Sequence, residues 1–168
     1  MPIKRKIISY SNIKVESFYD YDSLFKSLLI QYKEAYDEAL KDVFTYWLDD
    51  YLNYRYFDYK IVFVPSSESK LKQRGFNHLE LIFSNLKHKR IDGLYQKQEL
   101  IQEGKDFQER SKMKSNYIYT GEKERKVLVL DDVVTTGSSM MGVYNALKEK
   151  VRYIKLLSLA YKNFTKKK

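Results

Sequence analysis

At 168 residues the chain can bury one substantial core but is too short for two ordinary domains. It has no cysteine and only two histidines, His78 and His88, which excludes disulfide scaffolding and thiolate metal sites and leaves little to build a protein-ligated zinc site. A formal charge of +9 and a sequence pI near 9.4 suit phosphate-bearing partners, nucleic acid included, but a lysine-rich solvated surface would give the same balance. No apolar run approaches membrane-spanning length, and Met1 to Lys6 is not followed by the apolar core of a secretory signal, so a soluble cytoplasmic protein is expected. The sixteen tyrosines fall mostly at core-like spacings, which favours packing over base stacking for most of them.

In chain order, residues 1–21 form an amino-terminal segment in which Ile7, Tyr10, Ile13, Val15 and Phe18 alternate loosely around Ser11-Asn12, the pattern of a short hairpin. From Asp22, a candidate cap, the period becomes helical through Leu24, Phe25, Leu28, Leu29 and Tyr32 and continues to Leu52; a break near Lys33-Glu34 is expected to divide it into two helices. Lys60 to Val64 reads as a buried strand stopped by Pro65 and Ser66-Ser67. Asn77-x-x-Glu80 has the form of a capping box, opening a helix whose inward face is Leu79, Ile82, Phe83 and Leu86, with His78 expected at the surface. Arg90 to Tyr95 and Tyr117 to Tyr119 suit short strands, and the polar 96–116 stretch between them is long enough to suggest a functional or mobile loop. Tyr153 to Ala160 reads as the last strand, and the 163–168 tail, ending in three lysines, is expected to be disordered.

The most informative run is Val127-Leu128-Val129-Leu130-Asp131-Asp132-Val133-Val134-Thr135-Thr136-Gly137-Ser138-Ser139. Four consecutive apolar residues indicate a strand covered on both faces, followed by two carboxylates, a loop of small hydroxyl residues around one glycine, and a helix marked by the apolar-periodic run Met140, Met141, Val143, Tyr144 and Leu147. A helix amino terminus supplies unpaired N–H groups and a positive dipole end for an anion, and the hydroxyls of Thr135, Thr136, Ser138 and Ser139 add donors. Ionised Asp131 and Asp132 only accept, so beside a phosphate they suit sugar hydroxyls or a cation. An ordinary N-capped helix would account for the threonines but not for the acid pair.

This run resembles the phosphoribosyl pyrophosphate (PRPP) motif of type I phosphoribosyltransferases. The stretch from Val64 to Asn77, with its Val-Pro-Ser-Ser and Arg-Gly-Phe-Asn segments, resembles more narrowly the ComF proteins associated with competence and DNA uptake. The resemblance implies a single α/β domain over residues 22–162, of the type I phosphoribosyltransferase fold, with a twisted, mainly parallel sheet flanked by helices and the amino-terminal helices packed on it. It also implies that Asp131 and Asp132 hold the ribose hydroxyls and carry the catalytic roles, and that Thr135, Thr136, Gly137, Ser138 and Ser139 cradle the 5-phosphate. Pro65, Ser66, Ser67, Lys72 and Arg74 would border the pyrophosphate, and magnesium would be bound mainly through PRPP itself. Gln102 and Glu109-Arg110 match the ComF spacing in the flexible-loop region, while Phe107 and Met113 stand where arginine and asparagine are common. Many ComF proteins carry a four-cysteine zinc segment, and this cysteine-free chain inherits no zinc contact from that likeness.

Two functions follow from the resemblance. One is a phosphoribosyltransferase working in competence or nucleotide metabolism. The other is a non-catalytic protein that senses PRPP or binds single-stranded DNA alongside competence proteins. The acceptor base and the oligomeric state are left open by the sequence.

Overall fold

The computed structural model describes residues 5–34, 40–66, 77–97 and 116–162. Ser67, Lys72, Arg74, most of the 96–116 stretch and the 163–168 tail lie outside the described residues. Strand β1 (Lys6–Tyr10) turns at Ser11-Asn12 into β2 (Ile13–Asp20), the hairpin that the alternation suggested. Helix α1 (Ser23–Glu34) is capped by the Asp22 carboxylate, which accepts from the Phe25 N–H at 2.8 Å. Two short helices, α2 (Lys41–Thr45) and α3 (Leu48–Arg55), follow where one continuous second helix was expected. Then come β3 (Lys60–Phe63), α4 (His78–Ile82), β4 (Leu94–Gln96), β5 (Tyr117–Tyr119), β6 (Glu124–Val134), α5 (Ser138–Leu147) and β7 (Val151–Tyr161).

The main sheet has the order β1-β2-β7-β6-β3. Its last four strands run parallel, and only β1 is antiparallel. The fold is thus α/β with a mixed, mostly parallel five-stranded sheet between helices. The amino-terminal hairpin is continuous with this sheet, because β2 pairs with β7 from Val15↔Leu156 to Asp20↔Tyr161. Tyr153 to Ala160, read as a last strand, therefore lies inside the sheet between β2 and β6. Tyr117 to Tyr119 pairs with β4 as a separate two-stranded ribbon, and Arg90 makes only an isolated bridge to Ile61.

Strand periodicity divides the interior into two cores. On one face Leu128 and Leu130 of β6, Leu157 and Leu159 of β7 and Phe18 of β2 meet Phe25, Leu29, Phe44, Leu52 and Leu79 from α1 to α4. On the other, Val127, Val129 and Leu156 meet Met140, Val143 and Leu147 of α5 and Tyr117 and Tyr119 of β5. Each of these large apolar side chains contributes roughly 1.5–3 kcal/mol relative to exposure. Burial on both faces is why the apolar run at 127–130 is unbroken.

This topology places the site. Phe63 pairs with Leu130, and the Val64 N–H donates to the Leu130 carbonyl at 3.0 Å, so the chain leaving β3 at Val64-Pro65-Ser66 runs beside Asp131 and Asp132. Both loops sit at carboxyl ends of adjacent parallel strands, where open α/β sheets hold their ligands.

Candidate sugar-phosphate site

Strand β6 does not stop at the acid pair. Its ladder with β7 continues through Asp131↔Ser158 and Val133↔Ala160 to Val134↔Tyr161, so both acids are strand residues and the loop begins at Thr135. The consequence is that adjacent acids point to opposite faces of the sheet. Asp132 turns toward α1 and α4, and Asp131 toward the α5 side.

Asp132 is only 8% exposed. Its Oδ1 accepts from the Val133 N–H at 2.6 Å, while Oδ2 receives both the Lys33 ammonium, in a close ion pair, and His78 Nε2 at 2.9 Å. Burial alone would push this carboxyl up. The His78 hydrogen bond and the Lys33 charge outweigh it and hold Asp132 well below the usual carboxylate range. A carboxylate so held only accepts, so His78 carries a proton on Nε2. The expectation that His78 is a surface residue is overturned: it is 4% exposed. The reason is that α4 packs its first turn against the end of β6, and the Tyr32 hydroxyl of α1 donates to the His78 carbonyl at 3.2 Å. Asn77 does cap α4, its side chain accepting from the Leu79 N–H at 3.2 Å.

Asp131 is half-buried and differently placed. Its Oδ1 accepts from the Asp132 N–H at 2.9 Å. Burial first, and the neighbouring Asp132 charge second, push its carboxyl well above the ordinary value. In register beside it lies Ser158, fully buried, whose Oγ has no hydrogen-bond partner among the described residues.

The loop residues form a cradle. Gly137 has φ of +77° and caps α5, and an added Cβ there would lie 2.5 Å from Tyr10 Cγ. The Tyr10 hydroxyl donates to the Thr135 carbonyl at 2.9 Å, so β1 buttresses the loop from outside. Thr136 Oγ1 and Ser138 Oγ are 2.7 Å apart, and the exposed hydroxyls at 135, 136, 138 and 139 surround the first turn of α5. Asp131 and the loop enclose a small pocket of about 30 Å³. A larger cavity of about 390 Å³ adjoins it, lined by Lys33, Pro65, Ser66, His78, Asp131 and Asp132 among others, within the ~300–1,000 Å³ common for small-molecule sites. Gln96 and Tyr117, which flank the undescribed 98–115 stretch, also line this cavity, and Gln96 Nε2 donates to the Pro65 carbonyl at 2.8 Å.

Of the residues expected from sequence, the structure brings together Pro65, Ser66, Asp131, Asp132, Thr135, Thr136, Gly137, Ser138 and Ser139 around these two adjoining spaces. Ser67, Lys72 and Arg74 lie outside the described residues. Lys33 and His78 are the site residues that sequence reasoning missed. Capping chemistry masked His78, and Lys33 reads as one more basic residue at a helix end. Among the described residues no group of three or more His, Asp or Glu side chains could hold a metal ion. The donor set fits a magnesium ion carried largely on a ligand's own oxygens, with Asp131 as the protein carboxylate. Asp132 already accepts from three donors.

No helix among the described residues is long and apolar enough to cross a membrane. No protein-family model matches the chain. Over 135 residues, 79% of its length, the chain is 28% identical to competence protein ComFC of Streptococcus pneumoniae, and the alignment spans 61% of that protein. This similarity supports the ComF resemblance that the Val64–Asn77 segment carries.

Proposed function

We propose that the chain is a PRPP-binding, phosphoribosyltransferase-like protein of the ComF type, acting in the cytoplasm in competence and DNA uptake or in nucleotide metabolism. The observation that carries this reading is the position of Asp131. It lies between the small pocket at the α5 amino terminus and the cavity bordered by Pro65 and Ser66. A pentose 5-phosphate fits that order of donor, acceptor and donor. The phosphate meets the first-turn N–H groups and hydroxyls of the Thr135–Ser139 loop, the ribose hydroxyls donate to Asp131, and a diphosphate on the anomeric carbon faces Pro65 and Ser66.

In the enzymatic reading the bond from the anomeric carbon to pyrophosphate breaks and an incoming nucleophile donates the electron pair of the new bond. The chain's contribution is charge placement. Asp131 and Asp132 lie beside the developing oxocarbenium ion, Lys33 faces the same cavity, and the ordered loop keeps the sugar in register. Magnesium entering on the ligand would neutralise part of the diphosphate charge. Isothermal titration with PRPP and magnesium tests the site. The wild type should bind and Asp131→Ala should weaken binding by more than about 100-fold, equivalent to ~2.7 kcal/mol. Equal binding by the two proteins would exclude the reading.

A second reading rests on a different surface. Tyr46, Tyr54 and Phe57 on and after α2 and α3 are 87%, 85% and 78% exposed, and Arg55 stands between the last two. Exposed rings with a nearby cation suit base stacking on single-stranded DNA, either beside a catalytic PRPP site or with that site serving only as a sensor. DNA binding that weakens steeply with salt, falls on Tyr54→Ala/Phe57→Ala and ignores Asp131→Ala would favour it.

A further inference from the structure

Lys33 lies far from the acid motif in sequence and yet makes an ion pair with it. Resting on the pentose phosphate reading above, we propose that Lys33 is a resident counter-cation of the acid pair. It supplies at Asp132 the positive charge that a divalent metal would otherwise bring, so that the sugar-phosphate half of the ligand binds without metal.

Three observations support this. First, Asp132 has no oxygen left uncommitted, with Oδ1 on the Val133 N–H and Oδ2 shared by Lys33 and His78. A metal at Oδ2 would have to displace an ammonium already in contact. Second, two adjacent carboxylates in a partly dry crevice need a positive charge close by, and Lys33 sits where it serves Asp132 while lining the same cavity as Asp131. Third, this lysine is held on a fixed element. It is in the last turn of α1, whose Phe25, Leu29 and Tyr32 are buried, and Tyr32 ties that turn to α4 through the His78 carbonyl. Its side chain is 18% exposed, unlike a solvated lysine whose head would extend into water. Lys33 is on this account a positioning residue for the acid pair and also a cation facing the ligand.

The probe is ribose 5-phosphate, which carries no diphosphate, so any need for metal would have to arise at the acid pair. Titration calorimetry is run with EDTA and with magnesium. The wild type should bind with Kd values agreeing within about twofold in the two buffers. Lys33→Met should bind about tenfold more weakly in EDTA and recover with magnesium, while Lys33→Arg should resemble the wild type. A wild-type affinity that rises tenfold or more with magnesium would overturn the proposal, and that arm requires no variant. Unchanged binding by Lys33→Met in EDTA would overturn it too, leaving the pentose phosphate site standing. No binding of ribose 5-phosphate by the wild type in either buffer would overturn the site reading and this inference together.

Discussion

Two carboxylates of this chain, half-buried Glu16 and buried Asp132, are clamped in similar ways to different ends. Glu16 on β2 accepts from Arg5 Nε at 2.6 Å, from the Tyr51 hydroxyl at 3.0 Å and from the Tyr56 hydroxyl at 2.9 Å. Asp132 on β6 takes Lys33, His78 and a backbone N–H. Burial pushes both carboxyls up, and in both the donors win and hold the group below its ordinary value. The difference is what lies beyond. The Glu16 cluster joins the hairpin to α3 and is not part of the lining of the two adjoining spaces at the acid pair, whereas Asp132, Lys33 and His78 all face the 390 Å³ cavity. The same carboxylate chemistry ties elements together where tyrosines enclose it and, on the reading proposed above, serves a ligand where a cavity opens beside Asp131.

The comparison breaks most sharply on substitution of the two acids. Asp132→Ala should cost about 3 kcal/mol in urea denaturation, because it strands a half-buried lysine and a buried histidine, and should also abolish measurable PRPP binding. Glu16→Gln should cost about 2 kcal/mol, less because Arg5 is largely exposed, and should leave ligand affinity within twofold. Loss of PRPP binding by Glu16→Gln would show that the distinction is false.

Next in size is Gly137→Ala, expected to cost about 2 kcal/mol from a left-handed backbone and a Cβ pressed on the Tyr10 ring. Adding Tyr10→Ala should relieve the ring contact but not the backbone strain, a partial recovery that a double-mutant cycle reads directly.

The acids themselves should separate by pH. Asp131 has a raised folded pKa, so its contribution is fully present below the unfolded value and is lost as pH rises through the folded one; Asp131→Asn should therefore be more stable than wild type at neutral pH, by about 1 kcal/mol. Asp132 and Glu16 have depressed folded values, so their contribution is present above the unfolded carboxylate range and is lost as pH falls through it toward the folded values. Thermal melts of Asp131→Asn, Asp132→Asn and Glu16→Gln from pH 3 to pH 7, an interval of about four units around the ordinary carboxylate value, check both signs. The smallest effect is expected from Tyr10→Phe, about 1 kcal/mol or less for one hydrogen bond to the Thr135 carbonyl.

Much of this architecture is visible in the residues themselves. The run Val127 to Leu130 announces a doubly covered strand, Ser11-Asn12 the hairpin turn, Asp22 and Asn77 the helix starts, and Thr135 to Ser139 a cradle at a helix amino terminus. What local pattern does not carry is decided by tertiary pairing. Asp131 and Asp132 have poor strand propensity, yet the parallel ladder to β7 extends β6 through them, and that extension turns the two acids to opposite faces. Lys33 and His78 stand 99 and 54 residues from Asp132, so no periodicity relates them. A capping box describes the backbone of α4 and is silent about what its first turn packs against. Helix α1 ends at Glu34, where a break was expected, whereas the separation of α2 from α3 has no residue signal and goes with the packing of Phe44, Leu48 and Leu52 into one core.

The most direct measurement is a crystal structure with ribose 5-phosphate bound. The account predicts the phosphate within hydrogen-bond distance of the α5 first-turn N–H groups and the Thr135–Ser139 hydroxyls, ribose hydroxyls on Asp131, and Asp132 still held by Lys33 and His78. A phosphate bound elsewhere, or a ribose that contacts neither acid at saturating concentration, would contradict it.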